Sequence, residues 1–145
     1  MRIAYVDLEV NEQTKKIGDI GVLCGETRLH TAKVFDAIQI IQAADLICGH
    51  YFLYHDFHYL QEDLAQVHRY QEHIIDTLLL SPLLFPERPY HALNKDYKTE
   101  FAQSNNPLMD CQITRDLLEE EVKTFFRLPE HLKTIFYQLL HQQIS

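Results

Sequence analysis

The chain has 145 residues, 46% of them apolar and 23% charged, with a net charge of −8 when its nine histidines are counted as neutral. That length predicts one domain, residues 1–145, able to bury roughly two-thirds of the unfolded chain's surface, and the composition excludes a disordered polypeptide. The acidic balance excludes a protein that holds nucleic acid by its overall field, so any phosphate contact needs local basic residues or bound cations.

Three cysteines, Cys24, Cys48 and Cys111, form no CxxC pair, and their odd number fits a reducing compartment better than a disulfide framework. No apolar run approaches the ~18 residues of a membrane span, and acids follow Met1 too soon for a signal peptide. The expected setting is therefore cytoplasmic, without a membrane partner, and Met1 reads as a true N-terminus.

In chain order, residues 2–10 alternate and are rich in β-formers, which predicts a first strand. "NEQTKKIGD" reads as a polar turn, "IGDIGVLC" (17–24) as a second strand, "GETR" as a turn and "LHTAKVF" (29–35) as a third strand. From "DAIQIIQAAD" the period becomes helical, with Ala37, Ile40, Ile41 and Ala44 on one face. "LICGH" is a short fourth strand, and "DFHYLQEDLAQV" a helix with Phe57, Leu60, Leu64 and Val67 along one side. "HIIDTLLLSPLLF" reads as a short strand running into a short helix, and residues 86–107, with three prolines, as a long connection. Asn106 and Pro107 make a helix start, Asn at the N-cap and Pro at N1. That helix is expected to run to about Arg127 with Ile113, Leu117 and Phe125 on its buried stripe and "LEEEV" on a solvated face; a last helix covers about Pro129–Gln143. Three hairpin strands followed by α, β, α, β, α, α predict an α/β domain whose mixed sheet is antiparallel at first and then parallel.

The first strand carries a chemical anomaly. In "YVDLEV" Asp7 and Glu9 share one face, about 7 Å apart, while Leu8 points to the other. Such acids either face water on a half-exposed sheet or, if buried, need pairing or a cation. Asp56 follows the fourth strand, at the kind of strand end where sites gather in α/β sheets; alternatively it caps the helix it precedes. Asp110 lies on the stripe of Ile113 and Leu117 and so points toward the sheet, or else complements the helix dipole from the first turn. Four convergent carboxylates suit a pair of Mg²⁺ or Mn²⁺ ions, which would activate a water and stabilise a leaving oxygen. His50, His55 and His58 lack partners at zinc-like spacing. Tyr51, Phe52 and Tyr54 either stack a terminal base or belong to the core.

"VDLEV", "GHYFLYHDFHYL" and "NNPLMDCQITRDLL" resemble the three exonuclease motifs of the DnaQ-like 3′–5′ exonucleases, the DEDD type of the ribonuclease H-like superfamily. The resemblance covers most of the chain. It is closest to the small exonuclease-like domain at the N-terminus of some large RecQ-like helicases, where "SPLLFPERPYHALNKDYK" also fits. It implies a ribonuclease H-like fold, a five-stranded mixed sheet flanked by helices. It implies a two-metal exonuclease acting on the 3′ end of single-stranded DNA or RNA, DNA favoured, and a helicase domain in the same, longer chain. Residue by residue, Asp7 and Glu9 match the first motif, Asp56 the second and Asp110 the third. These four would hold the ions, with Leu8, Lys95 and Lys98 meeting the substrate. The histidine form of the family has its general base shortly before the last acid; here "SNNPLM" stands there, and His91, 19 residues upstream of Asp110, is the equivalent. Tyr51 also departs from the family's Asn, and there is one extra residue between Gly49 and Asp56. The rival implication is a non-catalytic module on the same fold that binds a nucleic-acid end or a partner.

Overall fold

The computed structural model describes residues 1–93 and 106–144. Its centre is a five-stranded mixed sheet built from β1 (Ile3–Asn11), β2 (Lys16–Cys24), β3 (Thr27–Thr31), β4 (Leu46–Gly49) and β5 (Ile74–Asp76), in the order β3-β2-β1-β4-β5. β1, β2 and β3 pair antiparallel, while β4 runs parallel to β1 and β5 parallel to β4. The β2–β3 turn is tight because Gly25, at φ +60°, closes it with only Glu26 beside it. The third strand therefore begins at Thr27, earlier than the expected Leu29. It ends at Thr31, whose hydroxyl accepts from the Lys33 amide, and Val34 and Phe35 open a helix instead of extending the strand.

Period-two alternation divides β1 between two layers. Ala4, Val6 and Leu8 enter the main core with Ile20, Val22 and Ile47. That core is closed by α1 (Val34–Ile41), through Ala37, Ile38 and Ile41, and by α2 (Phe57–Gln66), through Leu60 and Leu64. The opposite face, with Asp7 and Glu9, lies under α4 (Pro107–Arg127), which packs on β1 and β2. α3 (Thr77–Leu84) follows β5 and packs beside α4, and α5 (Glu130–Ile144) ends the described chain. No helix among the described residues is long and apolar enough to cross a membrane.

Two expectations for α4 need correction. Its buried stripe is Pro107, Asp110, Cys111, Thr114, Leu118 and Glu121, and Ile113, Leu117 and Phe125 are only half-buried. The cause is local. At Gly21 of β2 a Cβ would lie 2.5 Å from the Pro107 carbonyl carbon and 2.6 Å from the Leu108 nitrogen, so the helix start rests directly on bare backbone. At that distance small side chains fit the sheet side, and the larger Ile113 and Leu117 turn toward α3. "LEEEV" is likewise not a solvated face throughout, since Leu118 and Glu121 are buried and only Glu119, Glu120 and Val122 reach solvent.

Candidate functional site

Asp7 sits opposite Gly21 and Glu9 opposite Asp19 in the β1–β2 ladder, just before the register shifts between Glu9 and Val10. Parallel pairing of β1 with β4 stops at Tyr5 and Cys48. The two acids thus occupy the end of the central strand that runs on past its parallel neighbour, where α/β sheets place their ligands.

The third acid arrives from α4. The Asn106 side chain accepts from the Leu108 amide at 3.1 Å and the Met109 amide at 3.4 Å, and Pro107 begins the first turn. The Gly21 contact brings that turn onto β2, and the Cys111 thiol donates to the Gly21 carbonyl at 3.3 Å. Asp110, 1% exposed, is thereby pressed against the acids of β1. One carboxylate oxygen from each of Asp7, Glu9 and Asp110 lies within 4.8 Å of the others. Asp7 and Asp110 are in hydrogen-bond contact, and Asp7 Oδ2 is buried with no hydrogen-bond partner.

Asp56 approaches from the other side. It ends a π-helical turn, Phe52–Asp56, that runs into α2. It does not cap α2 with its side chain. Its Oδ2 accepts from the Leu8 amide at 3.2 Å, and Oδ1 meets His55 Nδ1 at 2.5 Å. This turn is held by Asp76 at the end of β5, which accepts from the amides of Tyr51 (2.9 Å), Leu53 (3.0 Å) and Leu78 (3.0 Å). Tyr51 is thereby fixed at φ 63°, and Gly49 leaves room for Phe52, whose ring would crowd any Cβ there.

The electrostatics follow from this crowding. Burial, then the charges of Asp56, Asp110 and Glu9, push the Asp7 carboxyl up to about 9. Burial also raises Asp56, to about 6, against the lowering pull of His55 and the Leu8 amide. The Cys111 thiol is held well above its ordinary value by burial and by the same acids. An all-oxygen donor set with one orphaned buried oxygen is what a hard divalent cation requires, and the residues present fit such a group.

The structure thus brings Asp7, Glu9 and Asp110 together and sets Asp56 beside them. It does not bring Leu8 or His91 to that cluster. Leu8, expected at the substrate, turns its side chain into the core, because its neighbours on the alternating strand take the other face. His91 lies between α3 and α4, its Nδ1 2.7 Å from the Ser81 hydroxyl, in a cavity of about 490 Å³ that Arg88, Ile113 and Asp116 also line and that none of the four acids lines. Lys95 and Lys98 lie outside the described residues. Of the aromatics, Phe52 is core, and Tyr51 and Tyr54 are exposed, with Tyr51 stacked 6.5 Å from His55. Sequence reasoning missed Gly21 and Asp76. A glycine inside an apolar strand signals close backbone approach, so Gly21 had a signal; Asp76 had only the appearance of a strand end. Comparison with protein-family models and with curated proteins finds no match for the chain.

Proposed function

We propose that this chain is a metal-dependent nuclease domain of ribonuclease H-like fold that removes nucleotides from the 3′ end of a single strand. The observation that carries the reading is the convergence of Asp7, Glu9 and Asp110 within 4.8 Å, with Asp56 adjoining. Their place at the carboxyl end of the central strand, and the mixed five-stranded sheet, support it. Asp7, Glu9 and Asp110 would hold Mg²⁺ or Mn²⁺, with Asp56 at the edge of the same site. Bound there, such ions supply the charge that neutralises a scissile phosphate and favours attack by water.

The chain's own residues do the positioning. Asp76 fixes the π-helical turn, that turn sets Asp56, and Gly21 sets the depth of Asp110. The His55 ring touches Asp56 of this group, and its stacking on Tyr51 orients it. It is therefore better placed than His91 to take a proton from water, and the exposed Tyr51 and Tyr54 beside it offer faces for a terminal base.

The test is a labelled single strand, with and without a blocked 3′ terminus, incubated in Mg²⁺, Mn²⁺ or chelator. Stepwise shortening of the unblocked strand alone, dependent on the metal and lost in Glu9→Gln, is the expected result. Equal internal cutting of both strands refutes the 3′ polarity. No cleavage in either metal favours the second reading, a non-catalytic module that binds a nucleic-acid end, for which the position of His91 away from the acids speaks.

A further inference from the structure

Four aromatic rings follow one another beside Asp56. Between ring centroids, Tyr51 and Tyr54 lie 6.1 Å apart, Tyr51 and His55 6.5 Å with their planes 16° apart, and His55 and Tyr59 5.5 Å. Tyr59 packs from α2 against the main core, so the inner end of the row is anchored. The outer end is open: Tyr51 is 47% and Tyr54 61% exposed, and the His55 side chain 43%. The row joins the acids through His55, whose Nδ1 meets Asp56 Oδ1.

The backbone is distorted where it holds these rings outward. Tyr51 stands at φ 63°, a conformation unfavourable to a bulky side chain, and Asp76 accepts from its amide there. The turn that follows is π-helical, a distortion that concentrates at functional sites. Packing does not require Tyr51 or Tyr54, because the fully buried Phe52 supplies the turn's contact with the core. Exposed apolar groups gathered in one patch mark a surface that meets a partner. Charge decides which partner. The chain carries a net −8, so a strand led to the acids gains nothing from the overall field, and its phosphates meet like charge. The faces of unpaired bases, by contrast, stack on aromatic rings whatever the base.

We propose that Tyr54, Tyr51 and His55 form a stacking track for the last unpaired bases of a strand, so that the substrate class is set by bases and not by phosphates or sugar. The proposal rests on the nuclease reading in placing the 3′ end of that strand at Asp7, Glu9 and Asp110. It narrows the substrate of the same site. Single-stranded DNA and RNA ends are taken alike, because stacking reads neither base identity nor the 2′-hydroxyl. A duplex end is refused because its bases are held in pairs. An end whose last nucleotides lack bases is refused although its phosphates are intact. Binding of this kind loses little with salt, since few counterions are released.

The experiment is fluorescence anisotropy with 5′-labelled strands and the Glu9→Gln variant in Mg²⁺, so that binding is read without cleavage. DNA and RNA of one sequence are expected to bind within about threefold of each other, and a strand whose last nucleotides are abasic at least about tenfold more weakly. Between about 50 and 200 mM salt the affinity should fall less than about tenfold, where a site of 6–10 phosphate contacts would lose about 10³–10⁵. Added to that variant, Tyr51→Ala and Tyr54→Ala should each weaken binding by about 5–150-fold, and Tyr54→Phe should retain it. Tyr54 is exposed, so Tyr54→Ala should melt with the parent protein and separates lost stacking from lost fold. Equal binding of intact and abasic ends overturns the proposal, as do a steep salt dependence, unchanged binding in Tyr54→Ala, or no binding of any strand. The nuclease reading fails separately. These binding preferences without cleavage by wild type in Mg²⁺ or Mn²⁺ keep the track and remove the nuclease, whereas equal shortening of intact and abasic ends removes the track and keeps the nuclease.

Discussion

Asp7→Asn separates a metal centre from an accidental cluster of acids. In the metal-free fold burial and three neighbouring carboxylates raise Asp7 from 3.8 to about 9. A carboxyl raised on folding leaves the fold fully stable below its unfolded pKa, near pH 4. That stability is lost as pH climbs toward the folded value and levels off above it. Each pH unit in that window costs about 1.4 kcal/mol, so at pH 7 the ceiling is ~4 kcal/mol. Asp7 is only half-buried as a residue and its carboxyl interacts with that of Asp110, so roughly 2 kcal/mol is the reasonable expectation. Asn keeps the shape and hydrogen-bonding capacity and removes the charge. In chelator at pH 7 the variant should melt about 4–8 °C above wild type, and the gap should close as pH falls toward 4. Mn²⁺ should reverse the order: at a hundredfold excess over its dissociation constant it adds about 2.7 kcal/mol to wild type and little to the variant. Scanning calorimetry across pH, with and without Mn²⁺, reads both effects. A variant less stable than wild type in chelator, or equal stabilisation of both proteins by Mn²⁺, would refute the reasoning.

Gly21→Ala should act on the site without changing any charge. Its Cβ meets the α4 backbone at 2.5–2.6 Å, so the helix start must lift; a loss of about 1–3 kcal/mol in denaturant unfolding should accompany a loss of Mn²⁺ stabilisation, whereas retained metal binding would show that Asp110 does not depend on that contact. Asp76→Ala strips the acceptor from three amides and should cost about 2–3 kcal/mol. Asp76→Asn, which keeps one acceptor oxygen, should recover part of both the stability and the metal response. His55→Ala should lower any cleavage rate by about 10²–10⁴-fold in single-turnover assays, with His91→Ala affecting it far less; the opposite ranking would return the proton-accepting role to His91.

Much of this architecture is legible in the chain because it is local. Alternation in residues 2–10, the Asn106–Pro107 start and the apolar spacing of Leu60 and Leu64 each fix an element from a few neighbouring residues, and the structure has β1, α4 and α2 there. The pairing of Asp7 with Glu9 on one face follows from strand geometry alone. What water, core or neighbour that face meets does not. Asp110 reaches Asp7 only because α4 crosses the sheet at Gly21, a contact between residues 86 positions apart along the chain when counted from Gly21 to Pro107. The apolar stripe by which the sequence points Asp110 inward, Ile113 and Leu117, is not the stripe the sheet selects. Glu121 shows the same limit from the other side. Among acidic neighbours it has the pattern of a solvated residue, and only the tertiary packing around α4 makes it a buried carboxyl without a hydrogen-bond partner. Secondary structure is set by interactions within a few residues, whereas burial and the company a charge keeps depend on where distant elements cross, and these are the quantities on which the chemistry of the acid cluster turns.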